Sequence, residues 1–321
     1  MTHTFSFLLT FLLLWAGTGF SQELSATLLL KNRTVLEGSV HKRQVGTTVV
    51  QFQEKDSTSL RNLNLNEIDK IEFDLRAFRP TALKQAFNAG RYAKVIDQLK
   101  GRVIPYFAFV DQEANSNELV MLFIQSLYRT QNTAGVSAAR KEVGKYAAEG
   151  EVRRLADMYH ALIQLEQGET EAFDQSRSLF DITNPRDPLA SMAWVALGRR
   201  ALLENDWKTA YPYFSRVVTE TPLDFEWSAE ALYETARYHQ ANTNLVVAYQ
   251  ICQEALVMSS LPSWSEKLSA MQKELETEAD THGIQLIALG TPRGRSNEPG
   301  GGMEDGIDYR KRQQELEEMQ P

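Results

Sequence analysis

Apolar positions along this chain first alternate and later recur every three to four residues. Between residues 26 and 75, the stretches 27–30, 34–40, 47–53, 59–65 and 68–73 carry a period near two with many β-branched residues. They are separated by turn formers such as Asn32 and Arg33. This pattern predicts about five short strands of a small antiparallel barrel, with Gly38 supplying the bend needed for closure. From about residue 80 to 282 the period becomes helical, in pairs of amphipathic helices of about a dozen residues joined by Gly, Asn or Asp turns. Residues 119–130 with 136–148, and 152–167 with 170–180, predict two hairpins. Phe87 to Tyr92 with Val95 and Leu99 predict the turn and second helix of another. Residues 263–279 predict a charged, amphipathic helix that caps the last apolar face of a stacked array.

Two ends stand apart. Phe5 to Trp15 is an almost unbroken apolar run, followed by the small-residue stretch Ala16-Gly17-Thr18-Gly19. The run is too short to span a bilayer and fits the apolar region of a secretory signal, with cleavage expected between Ser21 and Gln22. Its leader Met-Thr-His-Thr carries no Lys or Arg. Beyond Gly290 the chain is rich in Gly, Pro and charge and cannot bury enough apolar area to offset ordering, so a linker is expected, ending in the helix-forming stretch 308–320.

The strand region, with "LKNRTVLEGSV" and later "LNEIDKIEF", resembles Sm-like or SH3-like small barrels over about fifty residues. In the helical region Trp194, Leu197, Gly198, Ala201, Ala210, Phe214, Val217 and Pro222 fall on the spacing of a tetratricopeptide repeat, which the chain resembles there. A looser unit follows at Leu232, Thr235, Ala236, His239, Ala248, Cys252 and Ala255. The resemblance covers about 200 residues in roughly five hairpins. The expected organisation is therefore α+β multidomain: signal peptide 1–21, small barrel 22–77, tetratricopeptide-like α-solenoid with terminal capping helix 78–283, and linker with charged tail 284–321.

Composition narrows the function. With 34 Lys and Arg against 42 Asp and Glu the net charge is -8, so no general attraction to nucleic acid or anionic lipid is present. One Cys excludes an internal disulfide and any multi-cysteine zinc site. The five His residues are scattered, and none pairs with another at a zinc-protease spacing. Cys252 occupies a buried crossing where a small hydrophobe is wanted, and reads as an inert thiol. His41-Lys42-Arg43 is a short basic patch at a strand end, read as a solvated hairpin tip. Asn32-Arg33-Thr34 matches a glycosylation acceptor but falls in a tight turn. No catalytic residue, cofactor or metal site is expected.

Tetratricopeptide arrays present the first helix of each pair on a concave face, and the resemblance implies a groove for a peptide. One residue past the small crossing residue of each first helix stand Arg199 and Arg237, each able to fork onto a carboxylate. Val195 and Tyr233, four residues earlier, depart from the family's carboxylate clamp and favour a mixed groove with Met192, Leu202 and Tyr233 as apolar contacts. Pairing of the two arginines with acidic neighbours such as Glu230 and Glu234 is the competing reading. The expected function is a non-enzymatic scaffold of the periplasm or cell envelope that binds a protein or peptide partner. No nucleic acid partner and no membrane span after signal cleavage are expected. The alternatives are an accessory that grips cell-wall polymer, and nucleic-acid binding through the Sm-like barrel.

Overall fold

The computed structural model describes residues 23–286 except 223–226 and 259–260. The expected export signal, the Gly-rich linker and the terminal helix lie outside the described residues. The described chain is α+β, an antiparallel sheet followed by helices. It divides between Leu179 and Phe180 into two compact units.

The first unit opens with β1 (Leu24–Leu30), β2 (Val35–Arg43), β3 (Val49–Glu54), β4 (Leu60–Asn64) and β5 (Ile68–Phe73), ordered β4-β3-β2-β1-β5 with every neighbouring pair antiparallel. Alternation places Leu24, Ala26, Leu28 and Leu30 of β1 inward, where Val40, Val50, Phe52, Leu63 and Ile71 are also buried. Among the described residues no ladder joins β4 to β5. Gly38 has a packing reason: a β-carbon there would stand 2.0 Å from the carbonyl oxygen of Gln53 and 2.8 Å from the Phe52 ring. The irregularity of β2 against β3 comes later, between Val40 and Lys42.

β5 does not end as a bare edge. The Ile71 amide donates to the Glu113 carbonyl at 2.9 Å, and the Asn115 side chain spans both the amide and the carbonyl of Phe73, at 2.9 and 3.0 Å. The segment before it is a 3-10 stretch, Ile104–Phe109, whose Tyr106 and Phe109 stand against Phe73. Nothing in the apolar periodicity announced this stretch. It also overturns the reading of Arg43 as part of a solvated tip. The Arg43 side chain is only 6% exposed, forks onto Asp111 at 2.5 and 2.8 Å and donates to the Ala108 carbonyl at 2.5 Å. A buried guanidinium without those acceptors would be costly, so the pair fixes β2 to this segment.

The helices come in pairs: α1 (Pro80–Asn88) with α2 (Tyr92–Leu99), α3 (Asn117–Arg129) with α4 (Thr133–Val143), α5 (Glu151–Glu166) with α6 (Thr170–Gln175), and in the second unit α7 (Ala190–Leu203) with α8 (Trp207–Glu220) and α9 (Trp227–Ala241) with α10 (Leu245–Met258). A final helix, α11 (Pro262–His282), follows. The five turns inside these pairs share one construction. Each holds a residue of positive φ, at 90, 131, 168, 205 and 243, in steps of 41, 37, 37 and 38 residues. In each, the amide of the next residue donates to the carbonyl five positions back, at 2.8 to 3.1 Å, and the positive-φ residue donates three positions back, at 2.8 to 3.0 Å. This is the Schellman closure of a helix end, which satisfies carbonyls that the helix leaves without partners. The occupants are Gly90, Gln131, Gly168, Asn205 and Thr243, so three of the five are the expected Gly or Asn, while Gln131 and Thr243 are not.

Candidate partner-binding face

The second unit carries every predicted site residue, and its construction begins at helix crossings. Gly198 of α7 lies under Phe214 of α8, so close that a β-carbon at 198 would be 2.6 Å from the ring. Ala210 and Phe214 are fully buried at the same crossing. Trp194 closes it, donating its indole N–H to the Ile182 carbonyl at 2.9 Å while the Arg216 guanidinium covers its ring at 3.8 Å. α8 runs on through Pro212, which withholds one amide from the carbonyl of Lys208. In the next pair Ala236, Ala248, Cys252 and Ala255 are fully buried in one cluster with Leu268, Met271, Leu275 and Ala279 of α11. Burial pushes the Cys252 thiol up to about 12, which leaves no thiolate for chemistry. α11 covers the apolar side of α10, the place expected for residues 263–279, and ends at Gly283 with φ 64.

On this frame Arg199 and Glu230 form a fork. Arg199 Nε donates to one Glu230 oxygen and Nη2 to the other, the latter at 2.6 Å, across α7 and α9. The Glu230 side chain is 7% exposed, so its charge has little water and takes its solvation from the guanidinium. Arg237 donates to Glu234 one turn away at 2.9 Å and is itself 45% exposed. Burial raises the Glu234 pKa above the usual carboxylate range, against the opposing pull of Arg237. Both arginines thus hold the acidic neighbours named in the competing sequence reading. Of the expected apolar contacts, Met192 is 2% exposed and belongs to the core, while Leu202 and Tyr233 are half-buried. Leu203, which sequence reasoning passed over, is 53% exposed at the end of α7. Its exposure follows from its place one residue off the buried stripe, a signal that periodicity alone could have shown.

The chain matches no known protein family, no curated protein and no solved structure. Function therefore rests on the geometry. Among the described residues no group of three His, Cys, Asp or Glu could hold a metal, and no helix is long and apolar enough to cross a membrane. His41 bonds Gln53 through Nε2 at 2.9 Å. Burial lowers the pKa of His160 and of His239, which favours the neutral imidazole in both.

Proposed function

We propose that this chain is a non-enzymatic protein-binding scaffold of the periplasm or an equivalent envelope space, in which a small Sm- or SH3-like barrel leads a tetratricopeptide-like solenoid. The observation that carries this reading is the recurrence of one turn construction at residues 90, 131, 168, 205 and 243. A unit that repeats its turn repeats its helix pair, and helix pairs bury their apolar faces by stacking. The steps of 37 to 41 residues exceed the 34 of a regular tetratricopeptide repeat. The close crossing of Gly198 under Phe214 falls at the small and aromatic positions of that pattern. In this reading the first helices of stacked pairs share a face for an extended partner, to which α7 and α9 would contribute Arg199, Leu203, Tyr233 and Arg237.

A photo-crosslinking residue at Leu203, introduced into the chain in its native envelope, tests this. A discrete protein adduct is expected, absent when the crosslinker sits at Lys208. Adducts with cell-wall polymer alone would replace the reading with that of a polymer-gripping accessory.

A further inference from the structure

The two edges of the N-terminal sheet are finished differently. At β5 the outward backbone groups of Ile71 and Phe73 all have partners. The Ile71 amide donates to the Glu113 carbonyl at 2.9 Å, its carbonyl accepts from the Asn115 amide at 3.3 Å, and the Asn115 side chain holds both groups of Phe73. At β4 the edge is bare. The Leu65 amide donates to the Thr48 carbonyl at 2.7 Å, which fixes the phase of the β3–β4 ladder. Hydrogen-bonded pairs alternate in an antiparallel ladder, so Leu63 and Arg61 also bond β3, while the amides and carbonyls of Leu60, Asn62 and Asn64 point away from it. Among the described residues those outward groups have no partner, and all three residues are exposed.

Sheet edges are commonly blunted by proline, lysine or a bulge. β4 has no Pro and no Lys, and its register runs without a shift from Val49 opposite Asn64 to Gln53 opposite Leu60. Its one charge, Arg61, is held by Glu54 at 3.2 Å. Such an edge accepts another strand, and β4 is complementary to itself. Two copies set antiparallel about Asn62 pair Leu60 with Asn64, Asn62 with Asn62 and Asn64 with Leu60, with two backbone bonds at each of these three pairs and no outward group left over. Arg61 then stands opposite Leu63 of the other copy, not opposite a like charge. Sliding the strands by two residues loses one of the three pairs in either direction, and in one direction sets Arg61 against Arg61. The next charges along the chain, Asp56 and Glu67, lie outside the paired stretch. Because β5 is sealed, the pairing cannot run from β4 of one copy to β5 of the next and closes as a two-fold dimer.

We propose that β4 is a self-association edge, at which a second copy of this chain continues the sheet through its own β4. The contact is separate from the helical partner face. It is held by backbone bonds with little apolar burial, so it makes a weak dimer that forms with rising concentration.

The test is sedimentation velocity of the purified full chain between about 1 and about 500 µM. A shift from monomer to dimer across that range is expected, with amide exchange at Leu60, Asn62 and Asn64 slowing as the dimer fills. Asn62→Pro removes an amide that β3 does not use, so the fold should persist by circular dichroism while dimerisation weakens at least about tenfold. At the two-fold centre residue 62 meets itself. Asn62→Lys alone and Asn62→Glu alone should therefore each weaken association by about threefold or more, and mixing the two should restore a dimer holding one copy of each. A chain that stays monomeric to about 500 µM overturns the proposal. So does a dimer indifferent to Asn62→Pro, or a pair of charge variants that do not rescue each other. Slowed exchange in β4 that appears only when envelope extract is added would give the edge to a strand of another protein and overturn it as well. The adduct at Leu203 judges the scaffold reading by itself, whatever the outcome at β4.

Discussion

Gly198 and Phe214 are in contact across the α7–α8 crossing at a distance that admits no side chain on the glycine. A methyl group at 198 would overlap the ring, and overfilling of a packed core costs about 1–3 kcal/mol. Gly198→Ala should therefore lower the unfolding free energy of the second unit, read from urea denaturation, by that amount. Gly198→Ala combined with Phe214→Leu should lose less than the two single variants added together. Ala210→Leu should be similarly harmful and Lys208→Leu neutral; equal tolerance of all these changes would show that the crossing is not where the structure has it.

The Arg199–Glu230 fork makes a second prediction. Replacing Arg199 by Glu sets a carboxylate against one that is already desolvated, so Arg199→Glu should cost more than about 2 kcal/mol. Arg237→Glu acts on a pair whose arginine is 45% exposed although Glu234 is largely buried, and should cost less. Thermal unfolding of the two variants decides; equal losses would remove the distinction between a buried fork and a surface pair.

Thr243 holds a left-handed conformation at φ 60, which a β-branched side chain resists. Thr243→Gly should raise stability by about 1 kcal/mol, whereas Gly90→Ala, at φ 70, should lower it by about as much. Chemical denaturation of the two single variants reads this directly, and a destabilised Thr243→Gly would argue against the shared turn.

Glu254 has a buried carboxylate oxygen without a hydrogen-bond partner among the described residues, and burial raises its pKa above 4.5. A carboxyl whose folded pKa is raised favours the folded state when protonated. The stability it contributes is present below its unfolded pKa and is lost as pH rises through the folded value. Glu254→Gln should therefore be neutral near pH 4 and stabilising near pH 7, as paired melting curves would record. A gain of equal size at both pH values would assign the effect to something other than ionisation.

How much was visible beforehand depended on the range of the interactions. The five strands could be read because Leu24, Ala26, Leu28 and Leu30 alternate locally, and the best helix pair because glycine, alanine and phenylalanine mark its crossing. The recurrent turn was legible in part, since Gln131 and Thr243 stand where Gly, Asn or Asp was the expected sign. The role of Arg43 was hidden because Asp111 lies 68 residues away. The pairing of Arg199 with Glu230, 31 residues apart, could be named as a possibility, but choosing between it and an open groove required the geometry of α7 against α9.

The Asn115 clasp on Phe73 has a consequence for the order in which the chain can be finished. Synthesis delivers all five strands before the residue that closes the β5 edge, because Asn115 follows Phe73 by 42 positions. During that interval a nascent sheet shows an open hydrogen-bonding edge, a template on which a neighbouring chain can add a strand. Folding of the N-terminal sheet is thus tied to the arrival of α1, α2 and the aromatic segment behind them. A ribosome stalled before residue 115 would carry an adhesive sheet, and sealing would wait until Asn115 had cleared the exit tunnel.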